Sequence, residues 1–114
     1  MNKDTRVETR VVNDVGILDI QGEVTSFSEK LLLEAYERFT QEGITKIGLN
    51  FEQVSYINSA GMAIIIGILT KSRKKGQVLR SWGLTEHFKK IFDMVGITKY
   101  MDHFDEEAEA LKGY

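Results

Sequence analysis

Hydrophobic and polar residues alternate along the first part of the chain. The alternation runs through residues 6–11 and resumes at residues 15–20, with Asn13 and Asp14 between the two runs. A period of two residues is typical of a β-strand, and an Asn-Asp pair between two such runs favours a tight turn. The pattern therefore predicts a β-hairpin, with Gly22 ending its second strand.

The apolar period then lengthens to that of a helix. Ser26 and Glu29 have the spacing of a capping box, in which each side chain accepts from a free backbone N–H group of the other. The apolar residues that follow recur at helical spacing as far as Gly43, where we expect the helix to end. These core positions are Leu32, Ala35, Tyr36 and Phe39.

Further elements alternate in type along the rest of the chain. Residues 44–50 and 77–82 have strand patterns, and a helix is predicted from Ser59 to Lys75 between them. Thr85 caps a third predicted helix that carries Phe88, Ile91, Phe92 and Val95, and Asp105 begins a short last one. The predicted fold class is α/β, a single domain over residues 1–114 with a mixed sheet of four to five strands flanked by about four α-helices.

Composition narrows the class of protein. The chain has 114 residues, a formal net charge of −2 and no cysteine. The charge argues against direct nucleic-acid binding, and the lack of cysteine excludes disulfides and thiolate metal sites. The first ten residues are polar and charged, unlike a secretory signal, and the longest apolar or small run, 60–69, is about half the length of a membrane span. We therefore expect a cytoplasmic protein without membrane insertion.

Few residues offer catalytic chemistry. Nothing in the sequence places His87 or His103, the only two histidines, beside an activated serine. His87 precedes Phe88 on a predicted helix and is interpreted as a surface residue. His103 lies among acidic residues, which favour the N-terminal end of a helix over a metal site. No glycine-rich phosphate-binding motif is present. The sequence predicts no catalytic residue, no metal site and no cofactor.

The most informative segment is 54–62, in which the polar pair Asn58-Ser59 joins an apolar run to an apolar helix. Ser59 falls at the start of that helix, where free N–H groups and the positive end of the dipole favour an added anion. The same two residue types are also common as simple helix N-caps. The pattern alone leaves both interpretations open.

Two faces of this helix differ in character. One face, predicted to be core, carries Met62, Ile65 and Leu69. Small residues form another face beside Ser59, flanked by isoleucines, and such a face allows a second protein to approach closely. The alternative is a helix buried on both sides by its own domain. The predicted docking residues are Asn58, Ser59, Ala60, Gly61, Ala63, Ile64 and Gly67.

Four stretches in this order resemble the anti-sigma factor antagonists of the STAS domain family. They are Gly22-Glu23-Val24, residues 49–62, Gly83-Leu84 and residues 88–97, and together they span most of the chain. The resemblance implies a small α/β domain and a partner-switching cycle. In that cycle, the unmodified antagonist binds an anti-sigma factor that is also a serine kinase, and a sigma factor is released.

The resemblance also implies how the cycle reverses. The kinase uses ATP to phosphorylate the antagonist, which then dissociates, and a serine phosphatase restores it. Ser59 occupies the position of the family's phosphoacceptor serine. Asn58 stands where the family usually has aspartate, and Thr25 stands where many members have an acidic residue.

Other functions remain as alternatives at this point. A STAS module of this kind could sense a nucleotide or another small anion at the same helix N-terminus, or regulate a partner outside sigma control. A small hydrolase that uses Ser59 is the enzymatic alternative, although the sequence offers it no convincing base.

Overall fold

The computed structural model describes residues 4–114. Five strands form one sheet in the spatial order β1-β2-β3-β4-β5, and they span Arg6–Val12, Val15–Val24, Lys46–Ile57, Val78–Trp82 and Asp102–Phe104. Helices α1 to α4 span Glu29–Gln41, Ser59–Lys74, Glu86–Met94 and Glu107–Ala110. The predicted α/β class, with a mixed sheet and four helices, is confirmed. The predicted domain boundary at residue 1 lies outside the described residues.

The predicted hairpin is present. β1 pairs antiparallel with β2, and Val12 lies opposite Val15. Asn13 and Asp14, the two residues between them, have φ angles of 50° and 68°. Positive φ at both central positions gives the tight turn whose twist matches that of paired strands, and Asn and Asp tolerate this conformation better than other non-glycine residues.

The expectation that Gly22 ends the second strand is wrong. β2 continues to Val24, and its register with β3 shifts on either side of Gly22. Gly22 has a φ of 86°, a conformation that glycine adopts without steric cost. An irregularity of this kind bends a strand without ending it.

Three helices lie on one face of the sheet. Strands β2 to β5 run parallel to one another, and α1, α2 and α3 connect them. The main core combines sheet residues such as Leu18 and Ile20 with the inner faces of these helices. The predicted core residues of α1 are all buried: Leu32, Ala35, Tyr36 and Phe39.

The opposite face of the sheet has a smaller core. Val15 and Ile17 alternate with the residues of the main core and pack with Trp82 and Ala110 of α4. Because both faces are covered, the central parallel strands are apolar on both sides.

Three local predictions need correction. The capping box is formed by Thr25 and Ser28, one residue before the predicted pair, and it begins a short 3₁₀ turn ahead of α1. β3 is longer than predicted and continues to Ile57. The last helix begins at Glu107, after strand β5, which the sequence pattern does not predict.

Candidate functional site

The start of α2 lies at the carboxyl end of the parallel strands. Val24 pairs with Ile57 where β2 and β3 end. The backbone N–H of Asn58 then donates to the Val24 carbonyl at 3.1 Å, which ties the turn to the sheet. In open sheets with parallel strands, this edge is where binding sites commonly form.

The sequence leaves open whether Asn58 and Ser59 cap the helix or accept an anion, and the structure gives each residue a different role. Asn58 is extended, and its Oδ1 accepts from the Gly61 N–H at 2.8 Å, so it is the helix N-cap. Ser59 is the first helical residue and is exposed. Its hydroxyl has no hydrogen-bond partner among residues 4–114. The cap is therefore complete without Ser59, whose hydroxyl is open to solvent.

Gly61 allows the helix to begin this close to the sheet. A Cβ added at Gly61 would lie 2.2 Å from the Val24 carbonyl oxygen, a backbone atom that cannot turn aside. Glycine is required here for close approach, because any larger side chain would push the first turn of α2 away from β2.

Of the seven predicted docking residues, three are exposed, two are half-buried and two are buried. Ser59, Ala60 and Ala63 are exposed, and Asn58 and Gly67 are half-buried. Gly61 and Ile64 are buried within the domain, so their assignment to an accessible patch is corrected. The predicted inner face of the helix is buried as expected: Met62, Ile65 and Leu69.

An apolar groove of about 440 Å³ begins at Ser59 and runs between α2 and α3. Ser59 and Ala63 line one side. Its exposed apolar walls are Tyr56, Ile66 and Val95, which retain 49%, 39% and 50% of their surface. Large side chains exposed around one concavity are typical of a surface that binds another protein. The sequence places Val95 at helical spacing on the third predicted helix, whereas in the structure it lies just after the last turn of α3.

A second depression lies on the other side of the turn. Its lining includes Thr25, Phe27, Leu31 and Asn58, and Asn58 also lines the first groove. Phe27 is 92% exposed. Sequence reasoning missed Phe27, although its position between two serines of a capping segment is a polar setting for an aromatic residue. We call the exposed and half-buried residues around Ser59 the docking surface: Phe27, Tyr56, Ser59, Ala60, Ala63, Ile66, Gly67 and Val95.

Thr25 has a structural role beside this surface. Its Oγ1 accepts from the Phe27 N–H at 3.2 Å, and its own N–H donates to Ser28 Oγ at 2.8 Å. These bonds fix the short turn that carries Phe27, so the exposed ring is held on an ordered segment.

The backbone at the start of α2 favours an anion at Ser59. The first turn of α2 contains no acidic residue, and its N-cap, Asn58, is neutral. The basic residues of the helix are in the last turn, roughly 18 Å away at 1.5 Å per residue. An anion on Ser59 would therefore meet free N–H groups and the positive end of the helix dipole.

The two histidines lie in different settings. His87 is exposed, as predicted, and contributes to the groove. His103 belongs to β5 and not to the start of a helix, which corrects its predicted setting. Its Nδ1 is 2.7 Å from Ser81 Oγ, and its Nε2 accepts from the Leu84 N–H at 3.4 Å. Nδ1 therefore carries the proton, and because Ser81 is fully buried the pair is structural.

Burial is the main cause that lowers the pKa of His103 to about 4, and the positive charge of Lys89 adds to it. Among residues 4–114, no group of three or more His, Cys, Asp or Glu residues is arranged to hold a metal ion. None of the helices in this part of the chain is long and apolar enough to span a membrane.

Known proteins of one family match this arrangement. The family model of the STAS domain matches residues 6–110. An anti-sigma-B factor antagonist of Staphylococcus epidermidis is 27% identical over 103 residues, which are 90% of this chain and 94% of that protein. The crystal structure of an anti-sigma factor antagonist from Mycobacterium paratuberculosis has a TM-score of 0.84 at 14% identity and covers 97% of this chain and 94% of its own.

A further solved structure with this fold is that of a phosphorylated protein. The Bacillus cell fate determinant SpoIIAA, solved in the phosphorylated form, has a TM-score of 0.70 at 19% identity. The match covers 93% of this chain and 96% of that one. At this level of identity, the two structural matches establish the fold.

Proposed function

The chain belongs to the STAS domain family, and on this basis we propose that it is an anti-sigma factor antagonist that acts in the bacterial cytoplasm. In its unphosphorylated form it binds an anti-sigma factor that is also a serine kinase, and a sigma factor is released. Phosphorylation of Ser59 reverses the binding, and a serine phosphatase restores it. The chain is a binding module and not an enzyme.

The observation that carries the proposal is the position of the Ser59 hydroxyl. It is exposed at the first helical position and is not used in capping, because Asn58 makes that bond. The docking surface extends from Ser59 in two directions, towards Phe27 and along the groove towards Val95. A group added to Ser59 Oγ therefore lies near the centre of the surface that a partner would cover.

The chemical step is the transfer of a phosphoryl group from ATP. Ser59 Oγ forms a bond to the γ-phosphorus, the bond between that phosphorus and the β,γ-bridging oxygen breaks, and ADP leaves. The hydroxyl proton passes to a base of the kinase, since no histidine of this chain is hydrogen-bonded to Ser59 within residues 4–114. The phosphatase hydrolyses the ester to serine and inorganic phosphate.

The same phosphate has opposite effects on folding and on binding. It adds about −1.5 to −2 charges at neutral pH. Within the free domain this charge lies at a helix N-terminus and in water, where it is tolerated. Under a partner it would lie among apolar side chains, where desolvation of an unpaired charge is costly. The modification therefore removes binding while it preserves the fold.

Asn58 accounts for one departure from the family pattern. An asparagine caps the helix as an aspartate does, through a side-chain oxygen, but without a charge next to the acceptor serine. Thr25 accounts for the other, because it supports the turn that carries Phe27. We propose that the partner recognises an uncharged rim at these two positions.

Calorimetric titration with a purified anti-sigma factor kinase from the same organism tests the function. The proposal predicts that unphosphorylated protein binds and displaces the sigma factor. The Ser59-phosphorylated protein should bind at least about tenfold more weakly. Equal binding of the two forms would contradict the proposal.

The main alternative is a module that senses a nucleotide or another small anion. The N-terminus of α2 alone favours it, because free N–H groups there attract any anion. Tight binding of a nucleotide by the isolated chain, together with no binding of the anti-sigma factor, would support that function instead. A regulator with a partner outside sigma control would show Ser59-dependent binding to a different protein.

A further inference from the structure

Within residues 4–114, the outer side of β1 is an open edge of the sheet. β1 is the end strand of the sheet, and across residues 4–114 no strand pairs with its outer side. It is seven residues long, whereas β5, at the other end, has only three. A regular edge strand of this length is a template for pairing with another strand.

The hairpin determines which groups point outwards. In a two-residue hairpin, the residues that flank the turn exchange both hydrogen bonds, and here they are Val12 and Val15. Hydrogen-bonded and non-hydrogen-bonded pairs alternate along an antiparallel ladder. The N–H and C=O groups of Val7, Thr9 and Val11 therefore point away from β2 and towards the open edge.

We propose that a second copy of this chain pairs with β1 antiparallel, about a two-fold axis that passes through Thr9. Thr9 is the midpoint of Arg6–Val12, so this register overlaps all seven residues of both strands. Thr9 then lies opposite Thr9 of the second copy, and Val7 lies opposite Val11. All three outward-pointing residues find partners, and six backbone hydrogen bonds form.

Charge complementarity selects this register over its neighbours. Arg6, Glu8 and Arg10 lie on one face of β1 and alternate in sign. The axis through Thr9 places Glu8 opposite Arg10 in two symmetric pairs. An axis through Glu8 would place Glu8 opposite Glu8 and Arg6 opposite Arg10, where like charges destabilise pairing. Charged side chains on an edge strand usually hinder pairing with another chain, but the charges of β1 are complementary to those of a second copy.

Arg10 has a donor left for this pair. Its guanidinium makes four hydrogen bonds, two to Asp19 and two to Glu107, and an arginine has five N–H donors. Glu8 lies opposite Asp19 within the chain, so it has a like charge as its neighbour on β2. A second copy therefore brings Glu8 the opposite charge that its own sheet does not place across from it.

The dimer leaves Ser59 accessible. β1 reverses direction relative to β2, and the added strand reverses again, so the two docking surfaces lie at opposite ends of a continuous ten-stranded sheet. Each dimer would then present two docking surfaces. This inference does not depend on the proposed function.

Cysteine cross-linking tests the register, because the chain has no cysteine of its own. Thr9→Cys introduces one exposed thiol. In the proposed dimer, its Cα lies about 5.5 Å from its counterpart, within the range for a disulfide. The control is Val11→Cys, on the same face of the strand and 57% exposed, whose counterpart would be about 14 Å away.

Under mild oxidation, T9C should form disulfide-linked dimer about tenfold faster than V11C, because only its thiols face each other. Adding Glu8→Arg to T9C should reduce that rate to the level of V11C, since arginine would face Arg10. Sedimentation of the wild-type chain should show a concentration-dependent dimer. Equal cross-linking of T9C and V11C, or a T9C rate unaffected by Glu8→Arg, would overturn the proposal.

Discussion

At the scale of single residues, a negative charge at Ser59 should affect folding and binding in opposite directions. Replacing Ser59 by Asp puts a carboxylate at the helix N-terminus, which is worth a few tenths to about 1 kcal/mol in favour of folding. Beneath a partner, the same unpaired charge costs about 1–3 kcal/mol, a roughly tenfold to hundredfold loss of affinity. Calorimetric binding and thermal melting measure both effects.

Ser55→Asp is the matched control for this charge. Ser55 is an exposed serine on β3, four residues before Ser59 and outside both depressions. Its replacement should leave the affinity for the anti-sigma factor near that of the wild type. Similar losses for Ser55→Asp and Ser59→Asp would mean that general negative charge, and not the site, governs binding.

The Asn58 cap gives a stability prediction at the same scale. Asn58→Ala removes the 2.8 Å bond to the Gly61 N–H and should cost about 1 kcal/mol. A loss of that size lowers Tm by roughly 4–8 °C in a domain of about this size. Asn58→Asp keeps an oxygen acceptor and should melt near the wild type. A fall of Tm as large with Asp as with Ala would contradict the capping role.

At the scale of elements, the two glycines of α2 predict opposite outcomes. Gly61→Ala forces a methyl group against the Val24 carbonyl, because the ideal Cβ position is 2.2 Å from that oxygen, and should strongly lower Tm. A Cβ at Gly67 meets nothing within 4 Å. Gly67→Ala should therefore leave stability unchanged or raise it by up to about 1 kcal/mol through helix propensity. Thermal melts of the two variants test this. A lower Tm for Gly67→Ala than for Gly61→Ala would contradict the packing of α2 against β2.

A bulky side chain at Ala63 tests the helix as a docking element. Ala63 is exposed, so the arginine of Ala63→Arg can extend into water and the domain should melt near the wild type. The same arginine would block a partner that covers the groove, and kinase binding should be lost. Gln41→Arg, at the exposed end of α1, is the matched control and should bind normally. Normal binding by Ala63→Arg would place the interface elsewhere.

Local sequence patterns predict some elements of this fold better than others, for physical reasons. The helix α1 follows from apolar residues at helical spacing, and the hairpin from Asn13 and Asp14. Strand β5 has only three residues, and its pairing with β4 is long-range, so no local pattern reveals it. Because the first turns of α2 are apolar almost all round, periodicity places Ile65 inwards but does not decide between Ile64 and Ile66. Packing against the sheet buries Ile64 and leaves Ile66 exposed.

The sequence likewise predicts only part of the site. The motif around Asn58-Ser59 identifies the position of the open hydroxyl, because helix capping is a local interaction. The groove requires α2 and α3 to lie side by side, which depends on the tertiary fold. The exposure of Phe27 also depends on the fold, since hydrophobicity alone assigns phenylalanine to a core.

At the scale of the whole molecule, His103 makes stability depend on pH. Its pKa falls from 6.5 to about 4 on folding, chiefly through burial, and Lys89 adds to the shift while Asp105 opposes it. Below pH 6.5 the unfolded chain therefore binds a proton that the folded chain does not. The free energy of unfolding that depends on neutral His103 is therefore fully present above pH 6.5, and it is lost as the pH falls towards 4.

Thermal melts between pH 7 and pH 5 measure this dependence. The Tm of the wild type should fall across that range, and His103→Gln should make the fall smaller. His87→Gln is the matched control, because it removes the other histidine of the chain from an exposed position. A His103→Gln profile that parallels the wild type would mean that another group causes the dependence.

The most direct test of the switch combines modification and binding in one sample. The chain is incubated with its anti-sigma factor kinase and ATP, the modified residue is mapped by mass spectrometry, and the affinity of the same material for the kinase is measured. A single phosphate on Ser59, with binding lost and the thermal melt retained, is the predicted result. Phosphate on Thr25 or Ser55 with Ser59 unmodified, or full binding by the Ser59-phosphorylated chain, would contradict it.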